Sequence, residues 1–166
     1  FNGTLTFNNG SILDTDAYSL NDGTNDNLTL DISSGATILN QSATGLSNGL
    51  AVGVTPTFGS SVNFTFEGST SQTTNFGAVG VTDINDLTIN NSSGVSLNSD
   101  ITLAGTLYMT SGILSTASSG SGLLTLAGSS IDGYSSSKYI DGPLQKTTFT
   151  GSFEFPVGNG SDYRPV

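Results

Sequence analysis

Apolar and polar residues alternate in short runs along this chain, and one three-residue pattern recurs. An apolar residue, a threonine and a second apolar residue follow one another in copies that begin at Leu5, Leu28, Phe64, Leu87, Ile101 and Leu124. Three pairs of copies share one offset along the chain: positions 5 and 28, 64 and 87, and 101 and 124. Alternation with a period of two is typical of a β-strand with one buried face. Recurrence at about 20–50 residues is typical of repeat architectures.

The pattern therefore predicts an all-β fold, a β-solenoid, with a C-terminal capping or transition segment. Coils spaced about 4.8 Å apart, with about six to eight of them, would make a rod of roughly 30–40 Å. No window shows convincing helical periodicity. The apolar residues of the strands are predicted to form the core, and they include Leu5, Phe7, Leu28, Leu30, Phe64, Phe66, Leu87, Ile89, Leu97, Ile101, Leu103, Leu107, Leu124 and Leu126.

The composition changes near residue 132, which divides the chain into solenoid coils at 1–131 and a segment at 132–166. The second part holds all three basic residues and three of the four prolines. Proline cannot donate to a strand ladder, and the end of a solenoid needs a cap or a following domain. We expect 132–166 to be a cap or transition that leads to a further domain.

Charge narrows the possible partners. The net charge is −10, and the segment 1–137 carries ten carboxylates but no Lys or Arg. Such a surface cannot neutralise phosphates, so nucleic acid is excluded as a partner. No apolar stretch is long enough to span a membrane. Cys and His are absent, which excludes disulfides, thiolate or imidazole metal sites and a Ser-His-Asp triad.

Three carboxylate clusters could supply oxygen ligands to Ca²⁺, namely 14–16, 22–26 and 83–86. Asp22 and Asp26 are the candidate metal ligands. None of the clusters has EF-hand spacing, and the simpler interpretation is that they form Asx turns at solenoid corners. We favour that interpretation and therefore expect no cofactor, with Ca²⁺ as the one alternative.

The threonines of the triplets raise another possibility. If the strands stack, these residues lie on outer faces, and a flat threonine array could order water or bind ice or sugar. They are Thr6, Thr29, Thr65, Thr88, Thr102 and Thr125. The simpler interpretation is that threonine is a good outward residue in strands and that the triplets do not all share one face. We favour the simpler interpretation.

Longer segments carry a resemblance to a known group of proteins. The run from Asp86 to Leu114 resembles the repeat units of large secreted surface proteins of Bacteroidetes bacteria, and 138–144, 153–160 and 163–166 resemble the segment that follows those repeats. The match covers 63–166 well and 1–62 more loosely. Such proteins are similar to adhesins exported by the type IX route. The resemblance implies a right-handed parallel β-helix and a surface role, and it names no active-site residues.

We therefore expect a structural or adhesive segment, a stalk or filament, of a secreted protein on the bacterial cell surface. Its partners would be neighbouring domains or subunits of the same protein, and surface glycans. One alternative is a carbohydrate-binding or polysaccharide-processing β-helix module, and another is ice binding through the threonines. We expect no enzymatic activity, because polysaccharide cleavage on such a fold needs basic residues beside its carboxylates, and the segment 1–137 has none.

Overall fold

A computed structural model describes residues 3–16, 28–46, 54–116, 122–128, 130–148 and 150–166. These residues form short strands and one 3₁₀ helix, Phe76–Val79. The strands are β1 (Gly3–Phe7), β2 (Ile12–Asp14), β3 (Leu28–Ile32), β4 (Thr37–Asn40), β5 (Val54–Phe58), β6 (Asn63–Phe66), β7 (Gln72–Thr73), β8 (Asp83–Ile84), β9 (Leu87–Asn90), β10 (Val95–Leu97), β11 (Ile101–Leu103), β12 (Thr106–Ser111), β13 (Leu114–Thr116), β14 (Leu124–Leu126), β15 (Ser130–Asp132), β16 (Ile140–Asp141), β17 (Leu144–Lys146), β18 (Val157–Asn159) and β19 (Asp162–Tyr163).

The strands stack in parallel as a β-solenoid of about five turns, which confirms the predicted fold class. Sheet A has the order β1-β3-β5, and sheet B the order β2-β4-β6-β9-β12-β15. Sheet C has the order β7-β10-β13-β16-β18-β19, and sheet D the order β8-β11-β14-β17. Sheet A precedes sheet B in the first turns, and sheet D takes that place from β8 onwards.

The spacing of the triplets predicts strand register in two cases out of three. Phe64 pairs with Leu87 in sheet B, and Ile101 pairs with Leu124 in sheet D, which is the offset that the triplets share. The third case is wrong, because Leu5 pairs with Leu30 rather than with Leu28. The interval between register partners in this first turn is therefore longer than the offset that the triplets share.

The prediction of six to eight coils is too high. Several apolar triplets lie in one turn on different sheets, so counting triplets overcounts turns. Strands β10, β11 and β12 follow one another along the chain but belong to sheets C, D and B. The number of residues per turn also varies. The interval between the register partners Leu87 and Leu107 is shorter than the interval between the register partners Phe64 and Leu87.

The core runs the length of the stack, and most predicted core residues are buried. Leu28, Leu30, Phe64, Phe66, Leu87, Ile89, Leu97, Ile101, Leu103, Leu107, Leu124 and Leu126 are all at most 9% exposed. Two predictions fail: Leu5 is 43% exposed and Phe7 is only partly buried. Both lie on β1, the outermost strand of sheet A, which among the described strands is covered on one side only.

The 3₁₀ helix fills the core where sheet A gives way to sheet D. Its residue Phe76 is fully buried and meets Phe64 and Phe66 edge to face, with ring centroids 4.9 and 5.7 Å apart. Edge-to-face rings at these distances attract beyond their area burial. Among the described strands, β5 is the last strand of sheet A along the chain. The helix therefore covers the apolar core at the point where sheet A ends.

The described part of the C-terminal segment ends in an antiparallel hairpin. Strands β16, β17 and β18 still pair in parallel with the turn before, but β19 pairs antiparallel with β18. Phe155 and Val166 exchange both backbone hydrogen bonds, which extends the contact between the two arms of this hairpin. The hairpin gives β18 a strand partner on both edges, β16 and β19. No helix among the described residues is long and apolar enough to cross a bilayer.

Candidate functional site

The predicted calcium ligands Asp22 and Asp26 lie within 17–27, outside the described residues. Within the described ranges, no three acidic, histidine or cysteine side chains group closely enough to hold a metal ion. The calcium prediction at Asp22 and Asp26 therefore stays a prediction.

The other two carboxylate clusters make corner contacts. Asp14 Oδ1 accepts a hydrogen bond from the backbone N of Asp16 at 2.8 Å, which is an Asx turn. Asp86 Oδ1 accepts from the backbone N of Thr106 in the next turn at 2.7 Å. Asp83 Oδ2 accepts from the hydroxyl of its neighbour Thr82 at 2.8 Å. Asp14 therefore forms the Asx turn that the simpler interpretation predicts, whereas Asp86 links two successive turns and Asp83 contacts its chain neighbour.

The six triplet threonines do not form one ladder. Thr6 and Thr29 lie on sheet A, Thr65 pairs with Thr88 on sheet B, and Thr102 pairs with Thr125 on sheet D. Three sheets that face different directions cannot present these side chains as one flat surface. A single threonine face built from the triplets is therefore wrong.

Sheet A carries a threonine array that the triplets alone do not show. The register places Thr4, Thr29 and Thr55 in one row across the sheet, and Thr6, Asp31 and Thr57 in the next. The alternating neighbours Leu30 and Ile32 are fully buried, so Thr29 and Asp31 face outward. The sequence signal for this array is a pair of threonines two residues apart, present in both β1 and β5.

Sheet C carries a second row of polar side chains, and part of this row lines a shallow groove. Thr73, Ser96, Ser115 and Asp141 are register neighbours on β7, β10, β13 and β16. The groove has a volume of about 230 Å³, and its polar lining is Ser71, Ser92, Ser93, Ser96, Ser115 and Asp141. The members of the row are unevenly spaced along the chain, so a search for one fixed period cannot find it.

The chemistry of the groove suits a neutral, polyhydroxylated ligand. Serine hydroxyls donate and accept hydrogen bonds, and a carboxylate accepts them. Asp141 Oδ1 accepts from the backbone N of Gly160 at 2.8 Å, which fixes the carboxylate at one end of the row. The residues that line the groove include no cation, so it lacks the charge that would bind an anionic ligand.

A column of buried polar side chains runs through four successive turns at the edge between sheets B and C. Thr15, Asn40, Gln72 and Asn91 are at most 7% exposed. Asn40 Nδ2 donates to Thr15 Oγ1 at 3.2 Å, Gln72 Nε2 donates to Asn40 Oδ1 at 3.3 Å, and Asn91 Nδ2 donates to Gln72 Oε1 at 2.9 Å. Each side chain therefore bonds the turn before or after it.

Gln72 is the centre of this column. Its Nε2 also donates to the carbonyl oxygens of Asn40 and Ser42, both at 3.0 Å, and its Oε1 also accepts from the backbone N of Gly68 at 2.8 Å. Both ends of the buried amide are thus satisfied, as a buried polar group requires. The sequence shows this position only as a polar residue beside a strand.

The C-terminal hairpin brings aromatic side chains against the end of sheet C. Tyr139 is 1% exposed, its ring centroid is 5.5 Å from that of Tyr163, and its hydroxyl donates to the carbonyl oxygen of Gly160. Burial, followed by the nearby charges of Asp141 and Asp162, raises the pKa of Tyr139 above 10.0.

The pKa of Tyr163 is raised too, by burial and by Glu154, whose carboxylate accepts a hydrogen bond from its hydroxyl at 3.3 Å. Nearby, the Lys146 ammonium lies 4.5 Å from the centroid of the Phe153 ring. These contacts hold the hairpin to the stack.

Comparison with protein-family models, with curated proteins and with solved structures finds no match for this chain.

Proposed function

We propose that this chain is a rigid spacer, a stalk or filament segment, of a secreted bacterial cell-surface protein. The observation that carries the proposal is the buried polar column, which links successive turns through side chains in addition to the backbone ladders. A spacer must keep a fixed length and shape, and bonds between turns supply that. The location at a cell surface is supported by the sequence resemblance to Bacteroidetes surface proteins.

Two further features suit a spacer. The apolar core is continuous from turn to turn, so bending the stack would open apolar contacts to water. The net charge of −10 keeps such rods apart in solution. The partners in this proposal are neighbouring domains or subunits of the same protein.

Force spectroscopy tests the proposal. With a marker domain fused to each end, the chain should hold its length and then extend in abrupt steps, each releasing about 3.4 Å per residue freed. Gln72→Leu should lower the force at which the first step occurs, because it removes the centre of the polar column. Gln145→Leu, on the exposed outer side of β17, is the matched control and should leave that force unchanged. Smooth extension at low force would contradict a spacer role.

The groove on sheet C supports a second candidate, the binding of a neutral oligosaccharide by the same chain. Its row of hydroxyls ending in Asp141 offers donors and acceptors at regular spacing along the stack. A single carboxylate lines it, whereas cleavage of a glycosidic bond uses two. The groove is therefore proposed to hold a glycan and not to hydrolyse it.

A glycan array with two variants tests this candidate. Ser115→Tyr should abolish oligosaccharide binding by filling the groove, whereas Thr125→Tyr, at an outward position on sheet D, should leave binding intact. A reducing-sugar assay should show no release from the bound glycans. No binding by the unaltered chain, or equal loss in both variants, would remove the groove as a glycan site.

A further inference from the structure

The outer face of sheet A carries hydroxyl groups in a two-dimensional array. Among the described side chains, the register positions that alternate with the inward ones hold Thr4 and Thr29 in one row, and Thr6, Asp31 and Thr57 in the next. Thr4, Thr6 and Thr57 are exposed, and Thr29 and Asp31 are half-buried. The face is thus open to solvent and nearly uncharged.

The threonines of this array have few side-chain conformations. Threonine is branched at Cβ, which restricts its χ1 angle. The Thr57 hydroxyl also lies 3.3 Å from the carbonyl oxygen of Leu30 and 3.4 Å from Asp31 Oδ1, so a neighbouring strand fixes its direction. Hydroxyls with few available positions lose little entropy when they bind a rigid partner.

The spacing of the array is close to that of ice. Parallel strands repeat at about 4.8 Å, and tetrahedral water with O···O distances of about 2.75 Å places second neighbours about 4.5 Å apart. Along a strand, two residues span about 6.6 Å, against the repeat of about 7.3 Å that the same tetrahedral geometry gives along the hexagonal axis. The two lattices agree to about a tenth in both directions.

We propose that the outer face of sheet A binds the surface of ice. The threonine hydroxyls take the positions of lattice water, and the methyl groups between them cover the gaps. An ice surface has no net charge, which fits a face with no Lys or Arg and a single carboxylate. This inference is independent of the spacer role and uses a different sheet from the glycan groove.

Asp31 is the one residue of the array whose side chain does not match an ice surface. Its charge holds liquid water in an orientation of its own rather than in that of the lattice. Asp31→Thr completes the second row, so it should increase ice binding. A purely structural role for the threonines predicts no such gain.

Partition into slowly growing ice, together with inhibition of ice recrystallisation, tests the proposal. The unaltered chain should concentrate in the ice, Thr29→Lys should lose most of that fraction, and Thr125→Lys on sheet D should retain it. Asp31→Thr should exceed the unaltered chain. Circular dichroism of each variant establishes that it is folded.

Three outcomes would overturn the proposal: no entry of the unaltered chain into ice, equal loss in Thr29→Lys and Thr125→Lys, or no gain in Asp31→Thr. Binding of the same variants to crystalline cellulose is measured in parallel. Cellulose binding that depends on Thr29, without ice binding, would mean that the outer face of sheet A binds a polysaccharide surface and not ice.

Discussion

At the scale of single residues, the direction in which a side chain points decides the effect of changing it. Leu103 on β11 is fully buried between its register neighbours Ile84 and Leu126. Thr125 on β14 faces outward between Thr102 and Gln145. The same substitution at these two positions should therefore have very different effects.

Leu103→Asp should lower the free energy of unfolding by several kcal/mol, because it places an unpaired charge in the core, whereas Thr125→Asp should cost less than about 1 kcal/mol. Thr125 is a better control than Thr102, whose register neighbour Asp83 would face a second carboxylate. Urea unfolding of both variants is the measurement. Equal destabilisation would show that the inward and outward positions are assigned wrongly.

Gln72 is the centre of the buried polar column, so its removal affects several partners. Gln72→Leu leaves the Gly68 N–H without its acceptor and removes one of the hydrogen bonds made by the Asn91 amide and by the carbonyl oxygens of Asn40 and Ser42. We expect a loss of about 1–3 kcal/mol, compared with almost none for Gln145→Leu. Thermal melts compare the two, and a similar melting temperature for both would mean that the polar column contributes no stability.

Alkaline pH should loosen the C-terminal hairpin. A raised pKa means that the folded state holds the phenol protons of Tyr139 and Tyr163 more tightly than the unfolded state does. The stability that follows is complete below pH 10 and is lost as pH rises above it. Melting temperatures from pH 8 to 12 should fall less steeply in Tyr139→Phe/Tyr163→Phe than in the unaltered chain, and parallel curves would contradict this.

At the scale of elements, the turns decide how strands stack, and glycine is required where backbones approach closely. Gly112 has φ +82°, and a Cβ there would lie 1.8 Å from the carbonyl oxygen of Asn91 in the turn before it. Gly80 has a similar φ of +75°, but none of the described atoms lies within 4 Å of such a Cβ. The two glycines separate the effect of φ from the effect of crowding.

Gly80→Ala should cost about 1–2 kcal/mol, the penalty of a left-handed backbone for an L-residue. Gly112→Ala should cost more, because the β9–β12 contact must open to admit the methyl group. Chemical denaturation of the pair measures the difference. An equal cost in both would mean that the turns at Gly112 have room to separate.

The sequence predicts strands well and register only in part. Period-two alternation marks the strands from Phe64 to Leu126, because each inward residue is apolar whatever sheet it joins. Register depends on turn lengths, and these differ along one row, since Ser115 follows Ser96 sooner than Asp141 follows Ser115. The groove on sheet C and the array on sheet A are products of register, so neither could be read from spacing alone.

At the scale of the whole molecule, the chain is a one-dimensional stack in which each turn contacts its neighbours. Stability in such a stack comes from the contacts between adjacent turns. The two surfaces that carry proposals, on sheets A and C, are both rows of side chains from successive turns. Every functional proposal for this chain therefore depends on the turns keeping a fixed parallel register.

Paired cysteines measure that register directly, since the chain has no cysteine of its own. Ser96 and Ser115 are register neighbours on adjacent strands of sheet C, at a spacing of about 4.8 Å that a disulfide can bridge. Thr73 and Ser115 lie two strands apart, about 9.6 Å, beyond that reach. We predict that Ser96→Cys/Ser115→Cys forms a disulfide on mild oxidation of the folded protein and that Thr73→Cys/Ser115→Cys keeps both thiols free. Free thiols in the first variant, or a disulfide in the second, would contradict the stacked parallel register.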